Sequence, residues 1–220
     1  MPPATGAGVG PRRYDRRLLS GPLTAGRAPR TGAHLVVAVL VALVVQATAW
    51  APGATATLAA RAATACPGAN TVPSASDIAA AQSATLCLIN RERRRRGLRR
   101  LRVSYALTRA AAEHSAEMLA RNYFSDRSPS GATVAQRVRQ DGYHAPRRRT
   151  IVGEDIATAG GSLATPRQVV GAWMNSPEHR ARLLQRSYRL TGIGITTGMP
   201  RSSAQGWRGP AATYTDDFGA

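Results

Sequence analysis

The chain has 220 residues, 30 of them basic and 12 acidic, so its formal net charge at pH 7 is +18. All 30 basic residues are arginine, and the apolar share of 43% is enough for a packed core and excludes wholesale disorder. Only two cysteines are present, which excludes a disulfide-rich scaffold, a four-cysteine zinc site and most iron–sulfur sites.

Three segments are predicted to precede the folded domain. Residues 1–33 are a basic stretch without apolar periodicity, predicted to be disordered. Residues 34–56 hold an apolar run followed by A-x-A sites, which is typical of a secretory signal, although an uncleaved membrane anchor is the alternative. Residues 57–76 are small and polar and are predicted to be a flexible linker. Either interpretation places residues 77–220 outside the cytoplasm.

Export also bears on the cysteines. Cys66 and Cys87 lie 21 residues apart, and in an oxidising compartment a single disulfide is the simplest prediction, with two unpaired thiols as the alternative. The bond would tie the linker to the first helix of the domain. Closing a loop of that size is worth roughly 3 kcal/mol in the chain-entropy description.

Helices dominate the first part of the domain. N-cap residues followed by apolar residues at helical spacing predict a helix at each of five places. The predicted helices cover 77–96, 104–122 and 133–140, and two more begin at Thr165 and at Ser176, the latter running to about residue 185. Gly97 is well placed to end the first of them.

The last part of the chain favours strands. Three short β-leaning segments are predicted at Ile151–Ile156, Leu190–Thr197 and Ala212–Phe218. Helices followed by strands indicate the α+β class, with helices packed on a small antiparallel sheet.

Several polar residues in this pattern are candidates for chemistry. His179 is the third residue of the helix capped by Ser176, where the helix dipole opposes protonation, so a neutral imidazole there would bind a metal or polarise a substrate. The alternative is a packed or backbone-bonded histidine. Glu154 and Asp155 interrupt an apolar stretch, and each is either functional or neutralised by an arginine. His114 lies on the apolar stripe of the second helix, which favours core packing.

Residues 91–102 hold eight arginines. They would form a surface for phosphate, acidic glycan or anionic lipid, or else a solvated helix end. Few aromatic residues lie among them, which disfavours nucleic acid as a partner. The predicted anion-binding residues are Arg93, Arg94, Arg95, Arg96, Arg99 and Arg100.

Five motifs in order resemble the bacterial branch of the CAP superfamily, which unites cysteine-rich secretory, antigen five and pathogenesis-related-one proteins. They are LCLINRERRRRGLRRLRVSYALTRAAAEHSAEMLARNYFSD, GEDIA, WMNSPEHRARLL, YRLTGIGI and YTDDFG. The resemblance covers about residues 77–219 and implies an α/β/α sandwich and a secreted protein.

The resemblance also implies a cleft in which His and Glu side chains hold a divalent metal in some members. Glu154 matches the family's G-E-N-I phrase and His179 its S-P-x-H-R phrase, whereas Asp126 replaces a family histidine and Asp155 a family asparagine. The implied ligand set is therefore Asp126, Glu154 and His179. One imidazole and two carboxylates suit Mn, Mg or Ca better than Zn. The alternative is a cleft that no longer binds metal.

Three functions are compatible with this pattern. The first is a non-catalytic module, secreted or anchored at the outer face of the membrane, that binds a lipid, glycan or protein. The second is a metal-assisted, peptidase-like hydrolase in which Glu154 and His179 are the catalytic candidates. The third is an envelope-associated protein whose arginine surface binds anionic polymers. Contact with the membrane itself would come from residues 34–56 if they are not removed.

Overall fold

The computed structural model describes residues 65–144 and 151–220. The predicted basic stretch, the signal or anchor segment and residues 57–64 of the predicted linker lie outside the described residues. Within the two described ranges, no helix is both long enough and apolar enough to cross a bilayer.

The predicted helices are all present. In the described residues they are α1 (Ile78–Arg95), α2 (Tyr105–Ala120), α3 (Val134–Gln140), α4 (Pro166–Asn175) and α5 (Pro177–Leu183). A short α6 (Arg201–Ala204) was not predicted. Their ends follow the capping signals: the Ser104 hydroxyl accepts a hydrogen bond from the Leu107 amide, and Thr133 forms a capping box with Gln136. Gly97, with φ +66°, follows the end of α1.

Four strands form one sheet in the order β1-β3-β4-β2. They are β1 (Arg102–Val103), β2 (Val152–Gly160), β3 (Leu190–Thr197) and β4 (Ala211–Gly219). The β2–β4 and β3–β4 pairs are antiparallel, whereas β1 runs parallel to β3. The α+β prediction is confirmed. Strand β1 was not predicted, because two residues are too few to show alternation.

Helical layers cover both faces of the sheet. One face packs against α1 and α4, and its core includes Trp173, Ile193, Tyr214 and Phe218. The opposite face packs against α2 and α3, and the smaller apolar cluster there consists of Leu107, Ala110, Val138 and Tyr143. This is the α/β/α sandwich that the motifs imply.

Helix α2 lies against β3 with almost no space between the two backbones. A Cβ atom on Gly192 would lie 2.0 Å from the carbonyl carbon of Leu107, and one on Gly194 would lie 2.1 Å from that of Ala111. The Ser115 hydroxyl adds a hydrogen bond of 3.2 Å to the Gly194 carbonyl oxygen. Only glycine permits this separation, so the two glycines set the height of α2 above the sheet.

The end of the predicted linker is part of the packed domain. Cys66 forms the predicted disulfide with Cys87 of α1, and Ala69 is buried in the main core. The Ala69 carbonyl oxygen also accepts a hydrogen bond from the Arg167 amide at 2.9 Å. Residues 65–76 therefore belong to the domain, which starts earlier than residue 77. The prediction rested on the local abundance of Pro, Gly and Ser, which does not report contacts made by backbone atoms.

We expect Gly192→Ala to lower the free energy of unfolding by about 3 kcal/mol, since the added methyl group must push α2 off the sheet. Gly171→Ala is the matched control, because a Cβ at this position in α4 would have no atom within 4 Å apart from its chain neighbours and the backbone of its own helix. The free energy of unfolding of this control should rise by up to about 1 kcal/mol, because alanine has a higher helix propensity than glycine. Urea unfolding measures both, and equal effects at the two sites would contradict the close packing of α2.

Candidate functional site

A buried ion pair forms the centre of the candidate site. Glu154 of β2 is 7% exposed, and its Oε2 lies 2.6 Å from Nη2 of Arg137, a buried residue of α3. The Arg137 guanidinium also donates to the Ala132 carbonyl oxygen at 3.1 Å. A carboxylate this deep in the protein needs such a partner, so Arg137 is what allows Glu154 to stay inside the domain.

A second buried carboxyl group lies beside Glu154. Asp217 is its direct partner across the β2–β4 ladder, and the Asp217 side chain is 0% exposed. Burial raises the pKa of Asp217 well above its ordinary value, and the adjoining Glu154 carboxylate raises it further. Burial raises the pKa of Glu154 as well, and the nearby Arg137 guanidinium opposes that rise. The pair therefore disfavours two simultaneous negative charges at this point of the sheet.

His114 of α2 reaches the same cluster. Its Nε2 lies 3.8 Å from Glu154 Oε2 and 3.1 Å from the Ser125 carbonyl oxygen, and its Nδ1 lies 3.3 Å from the Tyr123 hydroxyl. Burial, together with the positive charge of Arg137, lowers the pKa of His114 to about 4. The ring is neutral at pH 7, and its proton sits on Nε2 because a carbonyl oxygen can only accept.

Glu117 holds the loop after α2 against this histidine. Its Oε2 accepts hydrogen bonds of 2.7 Å from both the Tyr123 and the Ser128 hydroxyl groups, and its Oε1 accepts one from Arg121 at 2.9 Å. Partial burial raises the pKa of Glu117, but these three donors outweigh it and bring the pKa to about 2. Residues 121–133 are thereby fixed in place.

The loop and β2 enclose a polar cleft of about 310 Å³. Its walls are formed by Asp126, Arg127, Thr133, Val134, Val152, Gly153, Glu154, Arg182 and Tyr188. A second hollow of about 310 Å³ lies behind it, lined in part by His114 and Arg137. Glu154 thus lines the first hollow, and its ion-pair partner Arg137 lines the second.

His179 does not lie with Glu154, because it is hydrogen-bonded to Asp155, whose side chain leaves β2 on the opposite face of the sheet. Its Nδ1 lies 2.7 Å from Oδ1 of Asp155, which also accepts from Arg182 Nε at 2.6 Å. Asp155 pairs directly across the ladder with Asp216, and the two carboxyl groups are fully buried. Burial raises the pKa of Asp216 well above its ordinary value, and Thr191 donates a hydrogen bond to it. The strand alternation therefore sends Glu154 and Asp155 to different faces.

The structure brings together two of the three predicted metal ligands. Asp126 and Glu154 line the same cleft, whereas His179 is not among its lining residues. No three His, Cys, Asp or Glu side chains within residues 65–144 and 151–220 are grouped so that they could hold a metal ion. The reason is local: Arg137 is bonded to Glu154, and His179 is bonded to Asp155. The residues present do not fit the divalent metal that the motifs imply.

The predicted anion-binding surface needs a correction. Arg93 is 0% exposed, and its guanidinium hydrogen-bonds to the carbonyl oxygens of Arg99, Leu183, Gln185 and Tyr188. Burial lowers the pKa of Arg93. The side chain joins α1 to the end of α5 and cannot meet an external anion. Arg94, Arg95, Arg96, Arg99 and Arg100 are exposed, although Arg95 and Arg96 are both paired with Glu92.

Sequence reasoning did not identify the partners of Glu154. Arg137 is one arginine among many in the chain, and Asp217 follows a second aspartate in a strand that is buried along its whole length. His114 was predicted to be a packed residue, which matches its burial, but its polar contacts come from residues 123–125. The one available signal was the acidic pair in β4, which lies in an apolar strand much as the pair in β2 does.

Helices on both faces of a four-stranded sheet, with a polar cleft beside β2, define a CAP-type domain. The sequence profile of the CAP family, the cysteine-rich secretory protein family, matches residues 86–207, which is more than half of the chain. The chain belongs to this family.

Two similar bacterial proteins agree with the assignment. The uncharacterized protein YkwD of Bacillus subtilis (strain 168) is 32% identical over 126 residues, which is 57% of this chain and 46% of YkwD. The chain thus spans about half the length of this curated relative. An extracellular protein containing an SCP domain from Bacillus anthracis is similar in structure, with a TM-score of 0.52 and 23% identity, covering 66% of this chain and 43% of that one.

Because the pKa of His114 is about 4 in the folded state and about 6.5 when unfolded, acid should destabilise the protein through this residue. Above pH 6.5 both states hold a neutral ring. Between about pH 6.5 and 4 only the unfolded state binds the extra proton, so the free energy of unfolding falls as the pH falls.

The test is urea unfolding at about pH 7 and at about pH 4.5. Between these two pH values, the free energy of unfolding of wild type should fall by roughly 2 kcal/mol more than that of His114→Gln. Gln keeps a donor for the Ser125 carbonyl oxygen but does not titrate. Parallel pH profiles of the two proteins would show that His114 is not held neutral by the fold.

Arg93→Ala should lower the free energy of unfolding by about 3 kcal/mol, because it leaves four carbonyl oxygens without their donor, two of them in buried contacts. Arg94→Ala, the exposed neighbour on the same helix, should stay within about 0.5 kcal/mol of wild type. The two variants carry the same charge change. Similar losses from both, measured by urea unfolding, would contradict the structural role of Arg93.

Proposed function

We propose that the protein is an extracellular binding module that takes a polar, hydroxyl-rich ligand, best matched by a glycan, in the cleft beside β2. This location is supported by the family to which the chain belongs, that of cysteine-rich secretory proteins, and by its structural similarity to the extracellular Bacillus anthracis protein. The Cys66–Cys87 disulfide fits the same compartment, since such bonds persist mainly in oxidising surroundings. The predicted export segment at 34–56 agrees with this location.

The observation that carries the binding role is the state of the acidic groups. Glu154 is bonded to Arg137, while Asp155 is bonded to both His179 and Arg182. A general acid or base needs a proton that it can exchange with a substrate within hydrogen-bond reach. Each of these two acids is instead engaged by a side chain of the protein itself, which favours a scaffold for binding over a reaction centre.

The remaining cleft groups suit hydroxyl recognition. Asp126 is an exposed acceptor, and Arg127 and Arg182 supply donors on the same walls. Tyr188 stacks on Phe218 with ring centroids 5.2 Å apart, so its hydroxyl is held rigidly over Gly153. Fixed donors and acceptors around a small hollow bind hydroxyl groups well, whereas a lipid chain would need a more apolar wall than Val134 and Val152 provide.

The hydrolase alternative receives less support. It requires Asp126, Glu154 and His179 to act on one ion, but His179 bonds to Asp155 and the guanidinium of Arg137 already neutralises Glu154. Of the three groups only Asp126 is left without such a partner in the described part of the chain, and a single carboxylate is too small a ligand set for metal-assisted hydrolysis.

The test is an NMR titration of the protein with soluble oligosaccharides of neutral hexoses and N-acetylhexosamines. We expect shifts in the amides of Val134, Val152 and Gly153, which surround the cleft. Asp126→Ala should weaken binding about tenfold, equivalent to about 1.4 kcal/mol, by removing a charged acceptor. Because Asp126 is exposed, the variant should fold normally.

Glu178→Gln is the matched control, since Glu178 is an exposed acid of α5 outside the cleft. It should bind like wild type. Equal weakening in both variants, or shifts confined to amides away from the cleft, would remove the cleft as the binding site. Binding of peptides with no binding of any oligosaccharide would keep the site and overturn the ligand class.

A further inference from the structure

Another hollow, of about 430 Å³, lies between α1 and α4 and shares no lining residue with the cleft described above. Four arginines line it, and we call it the basic cleft: Arg91, Arg96, Arg167 and Arg180. Apolar side chains lie among them, from Leu88, Val170 and Met174. Its volume falls within the range of small-molecule sites.

The basic cleft carries excess positive charge. Its one acid, Glu92, accepts from Arg95 at 2.7 Å and from Arg96 at 2.8 Å. The negative charge of Glu92 is therefore already paired with two guanidinium groups. The hydrogen bonds of the other arginines go to neutral groups: Arg167 Nε donates to an Asn70 side chain, and Arg180 to the Met174 carbonyl oxygen. Three guanidinium groups therefore face the hollow without a nearby carboxylate partner among the described residues.

Arg91 supplies an independent observation. Its Nε is buried and has no hydrogen-bond partner in the part of the chain that the structure describes. A buried donor without an acceptor is unfavourable, and most such groups in proteins are satisfied by protein, water or ligand. Arg91 lines the basic cleft, so an acceptor oxygen bound beside its guanidinium is one way to satisfy this donor.

We propose that the basic cleft binds a phosphate group, with Arg91 and Arg180 as its principal ligands and the adjacent apolar side chains contacting the carbon atoms next to the phosphate. Guanidinium groups match phosphate oxygens in pairs, with two parallel N–H donors on each group. The phosphate belongs either to a soluble phosphate ester or to a lipid headgroup, which share this chemistry.

This site overlaps the arginine surface predicted from residues 91–102 only in part, through Arg91 and Arg96. Arg93 is buried under carbonyl oxygens, and Arg99 and Arg100 do not line the basic cleft. Of the six residues predicted to bind anions, only Arg96 lies in it. The proposal does not rest on glycan binding, because the two hollows have separate walls.

Calorimetric titration with glycerol 3-phosphate tests the soluble form. Wild type should bind, and Arg91→Gln/Arg180→Gln should weaken binding at least tenfold. Arg99→Gln/Arg100→Gln is the matched control, with the same loss of two charges at exposed positions outside the cleft. It should stay within about twofold of wild type, because long-range attraction between exposed charges is screened by salt.

Since Arg91 is partly buried, Arg180→Gln alone provides a second variant with an exposed side chain. It should fold normally and still lose affinity. Equal losses in the cleft variants and in the control would reduce the effect to net charge and overturn the proposal. So would wild-type affinity in the single and double cleft variants.

Sedimentation with vesicles of phosphatidylglycerol or of phosphatidylcholine separates the two sources. If the lipid headgroup is the ligand, wild type should bind phosphatidylglycerol vesicles more strongly than the Arg91/Arg180 variant does, while the Arg99/Arg100 control matches wild type. The comparison is made between variants of the same full chain, so any membrane contact of residues 34–56 cancels. Absence of binding to both glycerol 3-phosphate and vesicles would overturn the proposal.

Discussion

The contact between α2 and β3 governs the rest of the polar interior. Because Gly192 and Gly194 lack side chains, the helix backbone rests directly on the strand, with Cβ positions that would fall about 2 Å from helix atoms. At this height, His114 of α2 lies close to Glu154 of β2, which is separated from β3 by β4. The loop after α2 also forms part of the cleft wall. A larger residue in β3 would lift every one of these groups together.

The four buried acids of the sheet form two cross-strand pairs. Strands β2 and β4 place Glu154 opposite Asp217 on one face and Asp155 opposite Asp216 on the other, all four buried. An arginine contacts the β2 acid of each pair, while burial raises the pKa of the β4 acid. A second negative charge is thus disfavoured on either face, and the two arginine contacts tie helices to the sheet at defined points.

Much of this architecture was predictable and part of it was not. Caps such as Ser104, the strand at Leu190–Thr197 and the Cys66–Cys87 bond follow from local chemistry that the sequence displays directly. The partner of Glu154 does not, because periodicity assigns a residue to a face but cannot choose one arginine among 30. The same ambiguity hid Arg93, whose surrounding run of charges resembles solvated surface although its own side chain is enclosed.

Strand β1 has a consequence for how copies of the protein meet. It pairs only with Leu190 and Thr191, and just beyond it Gln82 of α1 donates a hydrogen bond of 2.8 Å to the Ile193 carbonyl oxygen. This border of the sheet therefore offers no long run of free peptide groups on which a strand from a neighbouring molecule could dock. A two-residue strand and one amide side chain thus occupy edge groups that would otherwise be open to intermolecular β-pairing.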